Sequence, residues 1–240
     1  LLHTLFPGRF VSERTRNATD RDRMQWRLYS RLAYGYWYIK GMIPVLYVHL
    51  RSMNLSETCT PTSELAQAYS EHAPAMSLIP LSQRGIAYGR RSLEIRTALD
   101  DVWGQGQSLN FLAIALYAAG RYEECIDVGR RSVRILEQVG DVWEKHQAQY
   151  QVAASLYRLG RFTEAVKLSR QAYDSGLAYG DDQVCANIIE VWARATKGDI
   201  PEEIIQREIE RPRNDIQAIG HVMLARGVQL MNEGELTQAI

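Results

Sequence analysis

Gly89-Arg90-Arg91-Ser92-Leu93-Glu94-Ile95-Arg96-Thr97-Ala98-Leu99-Asp100-Asp101-Val102-Trp103 returns forty residues later as Gly129-Arg130-Arg131-Ser132-Val133-Arg134-Ile135-Leu136-Glu137-Gln138-Val139-Gly140-Asp141-Val142-Trp143, with eight of fifteen positions identical. The stretch after each copy agrees as well: Leu116-Tyr117 and Gly120-Arg121-Tyr122 against Leu156-Tyr157 and Gly160-Arg161-Phe162. A period of this length marks stacked supersecondary units that bury a shared core none could make alone. The repeat points to binding and does not say what is bound.

The punctuation extends the repeat in both directions. Helix-breaking glycines fall at 41, 120, 160, 198 and 234, and Pro80 fills the open slot, at intervals of 39, 40, 40, 38 and 36. Each interval holds two helix-length stretches. Gly140-Asp141 and Gly180-Asp181 read as a left-handed helix stop followed by a side chain that accepts from the next helix's free amides. Thr60-Pro61 and Asp199-Ile200-Pro201-Glu202 read as further helix starts. No strand alternation competes, so the expected fold is all-α. The chain is expected to form a single superhelical domain over 1–240, with units near 20–58, 60–99, 101–139, 141–179 and 182–212 and an incomplete one at 214–240.

Over 106–139 and 146–179 the residues resemble the tetratricopeptide repeat, whose signature sets residue types at positions 4, 7, 8, 11, 15, 20, 24 and 27. With Gly160 at position 15, Val152, Ala153, Leu156, Ala165 and Ala172 fall at positions 7, 8, 11, 20 and 27. With Gly120 there, the series is Leu112, Ala113, Leu116, Cys125 and Ser132. The resemblance implies a right-handed α-solenoid of about six helix–turn–helix units, with helices about a turn longer than the 34-residue repeat allows. The unit around Gly198 fits poorly, with Glu203 where a small residue is expected, and Pro74 falls inside an expected first helix. The 30–140 region is also similar to the repeat regions of large bacterial signalling ATPases and kinases, through Tyr36-Trp37-Tyr38-Ile39-Lys40-Gly41, His49–Leu55 and Pro61–Ser70.

In such arrays the first helix of each unit lines the concave face. The resemblance therefore places Gln107, Asn110, Ile114 and Tyr117 of one unit in a binding groove. Gln147, Tyr150, Gln151, Tyr157 and Arg158 would follow from the next. Amides can pair with a peptide backbone and rings supply contact area, so the expected partner is a protein or peptide, or another domain of the same chain. Solvated groove residues with no partner are the bland alternative. The clamp that captures acidic chaperone tails needs paired lysines that Asn110 and Ile114 do not bring.

The bulk numbers narrow the function classes. Basic and acidic residues balance at 28 each, which argues against a nucleic-acid partner, since phosphate neutralisation needs a cationic excess. No apolar run is long enough for a bilayer, so no membrane partner is expected. Cys59, Cys125 and Cys185 are widely spaced and form no Cys-x-x-Cys, which suits a cytoplasmic location and disfavours disulfides or zinc. The five histidines form no ligand pair, and no phosphate loop, Gly-x-Ser-x-Gly or His-Glu-x-x-His occurs. No catalytic residue, metal or cofactor is expected. The amino end Leu1-Leu2-His3-Thr4-Leu5-Phe6-Pro7 has no signal-peptide pattern, and the missing initiator Met, with an ending inside an apparent helix, predicts a segment of a longer chain.

Three features admit two readings. Gly-Arg-Arg-Ser resembles a phosphorylation site, but Ser92 and Ser132 fall where Ala172 sits in the next copy, which favours packing. Tyr34, Tyr36, Trp37, Tyr38 and Tyr47 have helical spacing that favours core, with an aromatic contact surface as the alternative. Gly104-Gln105-Gly106 follows no strand and reads as a loosened repeat boundary rather than a nucleotide contact.

Overall fold

The structure is a computed structural model that describes residues 16–79, 81–235 and 237. Pro80 and Leu1–Pro7, which carry expectations above, lie outside the described residues. Among the described residues there are eleven helices and no strand, so the fold is all-α. The chain divides into two compact units, Leu1–Ala119 and Gly120–Ile240.

The first unit holds α1 (Asp20–Ile39), α2 (Met42–Ser56), α3 (Ser63–Ser77), α4 (Ser82–Ala98) and α5 (Val102–Ala118). The second holds α6 (Tyr122–Val139), α7 (Val142–Arg158), α8 (Phe162–Tyr179), α9 (Asp182–Ala195), α10 (Glu202–Glu210) and α11 (Ile216–Glu233). Within a unit each helix packs on its neighbour, and odd-numbered helices also touch the next odd-numbered one: α1 with α3, α3 with α5, α7 with α9, and α9 with α11. The odd helices thus form one continuous face in each unit.

The helix ends follow the sequence punctuation for a steric reason. Gly41, Gly120, Gly160, Gly198 and Gly234 all have positive φ, as do Gly140 and Gly180, a region closed to most side chains. Asp100 takes the same left-handed turn, at φ 53, in the slot that Gly140 and Gly180 hold in later copies, and a short polar side chain tolerates it. One residue on, Asp101, Asp141 and Asp181 cap the next helix. Each accepts from the backbone N–H three residues ahead, at 2.9, 3.0 and 3.1 Å. Pro74 sits inside α3 without ending it.

Packing explains the small-residue pattern. Ala113, Cys125, Ser132, Ala153, Ala165 and Ala172 are all wholly buried. Ser92 is buried too, donating to the Ala66 carbonyl at 2.6 Å and lying 2.7 Å from the Ser108 hydroxyl. Both Gly-Arg-Arg-Ser serines are therefore packing residues, out of a kinase's reach. In the first unit Met53, Leu65, Ala68 and Tyr69 form a core on which Tyr88 and Ile95 pack. In the second, Tyr173 meets Trp192 edge-on at 6.3 Å, and the Tyr173 hydroxyl donates to buried Glu208 at 3.0 Å.

Two expectations need correction. The aromatic cluster is not core: Trp37 is 43% and Tyr47 63% exposed, while Tyr34 and Tyr36 are half-buried and the Tyr38 side chain lies outside the described set. The buried faces of α1 and α2 are supplied instead by Trp26, Ala33, Val48 and Met53. The first helix after Gly198, α10, is also short, nine residues against eighteen for α6 and α8. Pro212 forces Arg211 out of the helical region, to ψ 119, which ends α10. Glu208 then anchors the loop by accepting from Arg213 at 2.7 Å.

The caps carry a direct test. Asp141→Ala removes one helix-start acceptor and is expected to lower unfolding free energy by about 1 kcal/mol, read from denaturant titration. Asp181→Ala should cost more, because Asp181 also holds buried His146 at 2.7 Å. An unchanged midpoint for both would exclude the capping role.

Candidate functional site

In the first unit the odd-helix face opens into a cleft of about 210 Å³. Helix α1 contributes Trp26, Arg27, Ser30 and Arg31, and α3 contributes Glu64, Gln67 and Glu71. Arg96, Asp101, Trp103 and Gln107 close the other side. The Arg96 guanidinium is buried among them. Its Nη2 donates to Gln67 and, at 3.0 Å, to Gln107, its Nε lies 4.0 Å from Asp101, and it sits 5.6 Å from the Trp103 ring centre.

Two acids on α3 shape the cleft's charge. Arg27 donates to Glu64 Oε1 through both Nε, at 2.9 Å, and Nη2, at 2.6 Å. Burial pushes the Glu64 carboxyl up, but the free amide at its own helix start, the Arg27 guanidinium and the Thr62 hydroxyl outweigh it and hold the group below the usual range. Burial likewise opposes ionisation of Glu71, and His49, Ser30 and Gln67 overcome it, so that carboxyl also lies low. Behind Glu71, His49 Nδ1 sits 3.8 Å from Oε2, and His49 Nε2 meets His72 Nδ1 at 2.9 Å. Arg84 Nε donates to His72 Nε2 at 3.2 Å. That donor assigns the proton of a neutral His72 to Nδ1, so the hydrogen bonds run one way, from Arg84 through His72 to His49.

In the second unit the odd-helix face carries a ladder across α7, α9 and the start of α11. Trp143 Nε1 and Gln147 Nε2 each donate to Gln183 Oε1 at 3.2 Å, and Gln183 Nε2 donates to Asp215 at 3.2 Å. Further along, Arg194 Nε donates to Glu190 at 2.6 Å, and His221 Nδ1 pairs with the other Glu190 oxygen. Burial raises the Glu190 carboxyl, and His221 and Arg194 more than reverse this. Tyr150 meets the His221 ring edge-on at 5.6 Å.

The nine residues placed in a groove by the repeat register divide by burial. Gln107 lines the first cleft, and Gln147, Tyr150 and Tyr157 stand half-buried on α7, with Arg158 exposed at its end. Ile114 and Tyr117 are half-buried on α5. Asn110 and Gln151 are buried, as is Gln107 in the cleft wall. Sequence reasoning missed Trp103, Trp143, Gln183, Glu190, Arg194 and His221. A signal existed for five of them: the two tryptophans belong to the repeated Asp-Val-Trp, and Gln183, Glu190 and Arg194 lie forty residues beyond Trp143, Tyr150 and Ala154.

One constellation has the order of a nucleophilic relay. Asp181 Oδ2 pairs with His146 Nδ1 at 2.7 Å, and His146 Nε2 pairs with the Ser175 hydroxyl at 2.8 Å. His146 is wholly buried and the other Asp181 oxygen caps α9, so the trio ties α7, α8 and α9 together. Burial pushes the Cys185 thiol up to about 12, which removes it as a thiolate nucleophile. Among the described residues no group of three His, Cys, Asp or Glu could hold a metal ion.

Solved structures share this architecture. Aspartyl phosphate phosphatase F from Bacillus subtilis superposes with a TM-score of 0.68 at 14% identity, covering 92% of this chain and 58% of that one. A Rap protein complexed with competence and sporulation factor gives 0.68 at 16%, covering 90% and 62%. A Signal Transduction ATPase with Numerous Domains (STAND) protein with a tetratricopeptide repeat sensor, from Pyrococcus horikoshii, gives 0.64 at 14%, covering 90% and 35%. The fold is tetratricopeptide-repeat-like. This repeat chain spans less than two thirds of each of those three solved chains. No family model and no curated protein matches it.

The depressed carboxyls set an acid limit. Each binds its proton less readily folded than unfolded, so its stabilisation is complete above about pH 4.3 and is lost as pH falls through the lower folded value. Melting temperature should therefore hold from pH 7 to 5 and fall towards pH 3. Glu71→Gln should flatten that acid slope, and an unaltered slope would show that Glu71 does not contribute to it.

Proposed function

We propose that this chain is a non-catalytic repeat scaffold that binds a protein or peptide on its odd-helix faces, within a signalling protein. The supporting observation is the chemistry of those faces: amides, indoles, phenols and paired charges on adjacent helices, a set suited to an extended peptide. In the second unit Arg158 is exposed and Gln147, Tyr150 and Tyr157 are half-buried, and Gln107 belongs to the cleft of the first. Neither nucleic acid, membrane, metal nor cofactor enters this reading, and its compartment is the cytoplasm. Among the described residues no helix is long and apolar enough to cross a membrane.

A second reading makes the chain the sensor segment of a multidomain ATPase or kinase, its groove held by another part of the same protein. The likeness to a STAND protein carrying a repeat sensor favours it. The two separate in one experiment. Affinity capture with mass spectrometry compares this chain with a folded Tyr157→Glu/Arg158→Glu variant. The scaffold reading expects partners retained by the first and lost, by at least about tenfold, by the second. Equal capture by both would reject the groove, and capture by neither would favour the intramolecular reading.

A further inference from the structure

We infer that the cleft of the first unit is a socket for an arginine side chain of a bound peptide, which takes over the Glu64 carboxylate from Arg27. This rests on the peptide-binding reading above and names the side chain that reading leaves open.

Glu64 carries the inference. The residue is more than nine-tenths buried, lines the cleft, and has its Oε2 atom buried with no hydrogen-bond partner. Arg27 spends two donors on Oε1 alone, at 2.9 and 2.6 Å. Its side chain is 64% exposed, so it covers the carboxylate from outside and can leave into water. A buried charged oxygen without a donor is costly, whereas a planar guanidinium entering end-on can bond both carboxylate oxygens at once. Arg27 is an internal stand-in for that ligand, and it reaches Oε1 alone.

The surroundings fit the same guest. Three carboxylates, Glu64, Glu71 and Asp101, line the cleft with three guanidiniums, Arg27, Arg31 and Arg96, so a guest guanidinium that displaces Arg27 keeps the charges balanced. Trp103 stands 38% exposed on the cleft wall with the Arg96 guanidinium 5.6 Å from its ring centre, and stacking on an indole there favours a guanidinium over an ammonium. At about 210 Å³ the cleft is smaller than the roughly 300–1,000 Å³ of sites that enclose a whole small ligand, and it suits one side chain of a longer chain.

The probes are the capped pentapeptide Ala-Ala-Arg-Ala-Ala and its lysine and citrulline counterparts, titrated calorimetrically into the whole chain. The arginine peptide is expected to bind about tenfold more tightly than either counterpart, a difference of about 1.4 kcal/mol. Arg27→Ala removes the internal competitor and should tighten the arginine peptide by about tenfold, while Glu64→Gln should abolish binding. Arg27 is exposed, so that variant keeps the test valid even if Glu64→Gln unfolds. Citrulline or lysine binding as well as arginine, or an Arg27→Ala protein with unchanged affinity or none, overturns the socket. Failure here with intact, Tyr157/Arg158-dependent partner capture would leave the groove reading standing, and failure of both would remove it.

Discussion

Close approach between helices is the condition on which everything else in this protein depends. The repeat sets small side chains where paired helices cross, and Ala113, Cys125, Ser132, Ala153, Ala165 and Ala172 are all wholly buried. Interiors pack as densely as organic crystals, so a seam built on such residues leaves larger neighbours a defined space to fill. Leu109, Leu112, Leu116, Val152 and Leu156 fill it. Within each unit that seam turns one face of each odd helix inward and leaves the adjoining face to meet the next odd helix.

Polar residues that the seam encloses then act as cross-ties. His146 joins α7 to α8 and α9 through Ser175 and Asp181, and Glu208 collects Tyr173, Arg211 and Arg213 where α10 is cut short. In the first unit the sequence Arg84, His72, His49, Glu71 links α4, α3 and α2 by directed contacts. Such ties add little net stability, but leaving one end unmatched is expensive, so they select one register of helix against helix. The odd-helix faces inherit that rigidity, because Glu64, Glu71 and Glu190 project from the same helices.

Much of the architecture was legible in the chain. Period, turn glycines and aspartate caps located the helix boundaries because each answers a local rule, positive φ or a free amide, that needs no tertiary partner. The site was less legible. The register placed Gln147, Tyr150 and Tyr157 on the odd-helix face, yet it also named Asn110 and Gln151, which the packing encloses. Position in a repeat states direction and not depth. The aromatic stretch on α1 and α2 failed for the opposite reason, since helical spacing shows that residues share a face without showing that another helix covers it.

The sequence by itself determined the all-α repeat, its glycine-and-aspartate turns and the absence of any recognisable catalytic motif, because these depend on contacts within a few residues. Only the tertiary structure decided which polar residues meet. Arg27 finds Glu64 across thirty-seven residues, His221 finds Glu190 across thirty-one, and Gln183 links Trp143 to Asp215. Those pairings come from helix length and crossing geometry summed over several turns. No local pattern encodes that sum.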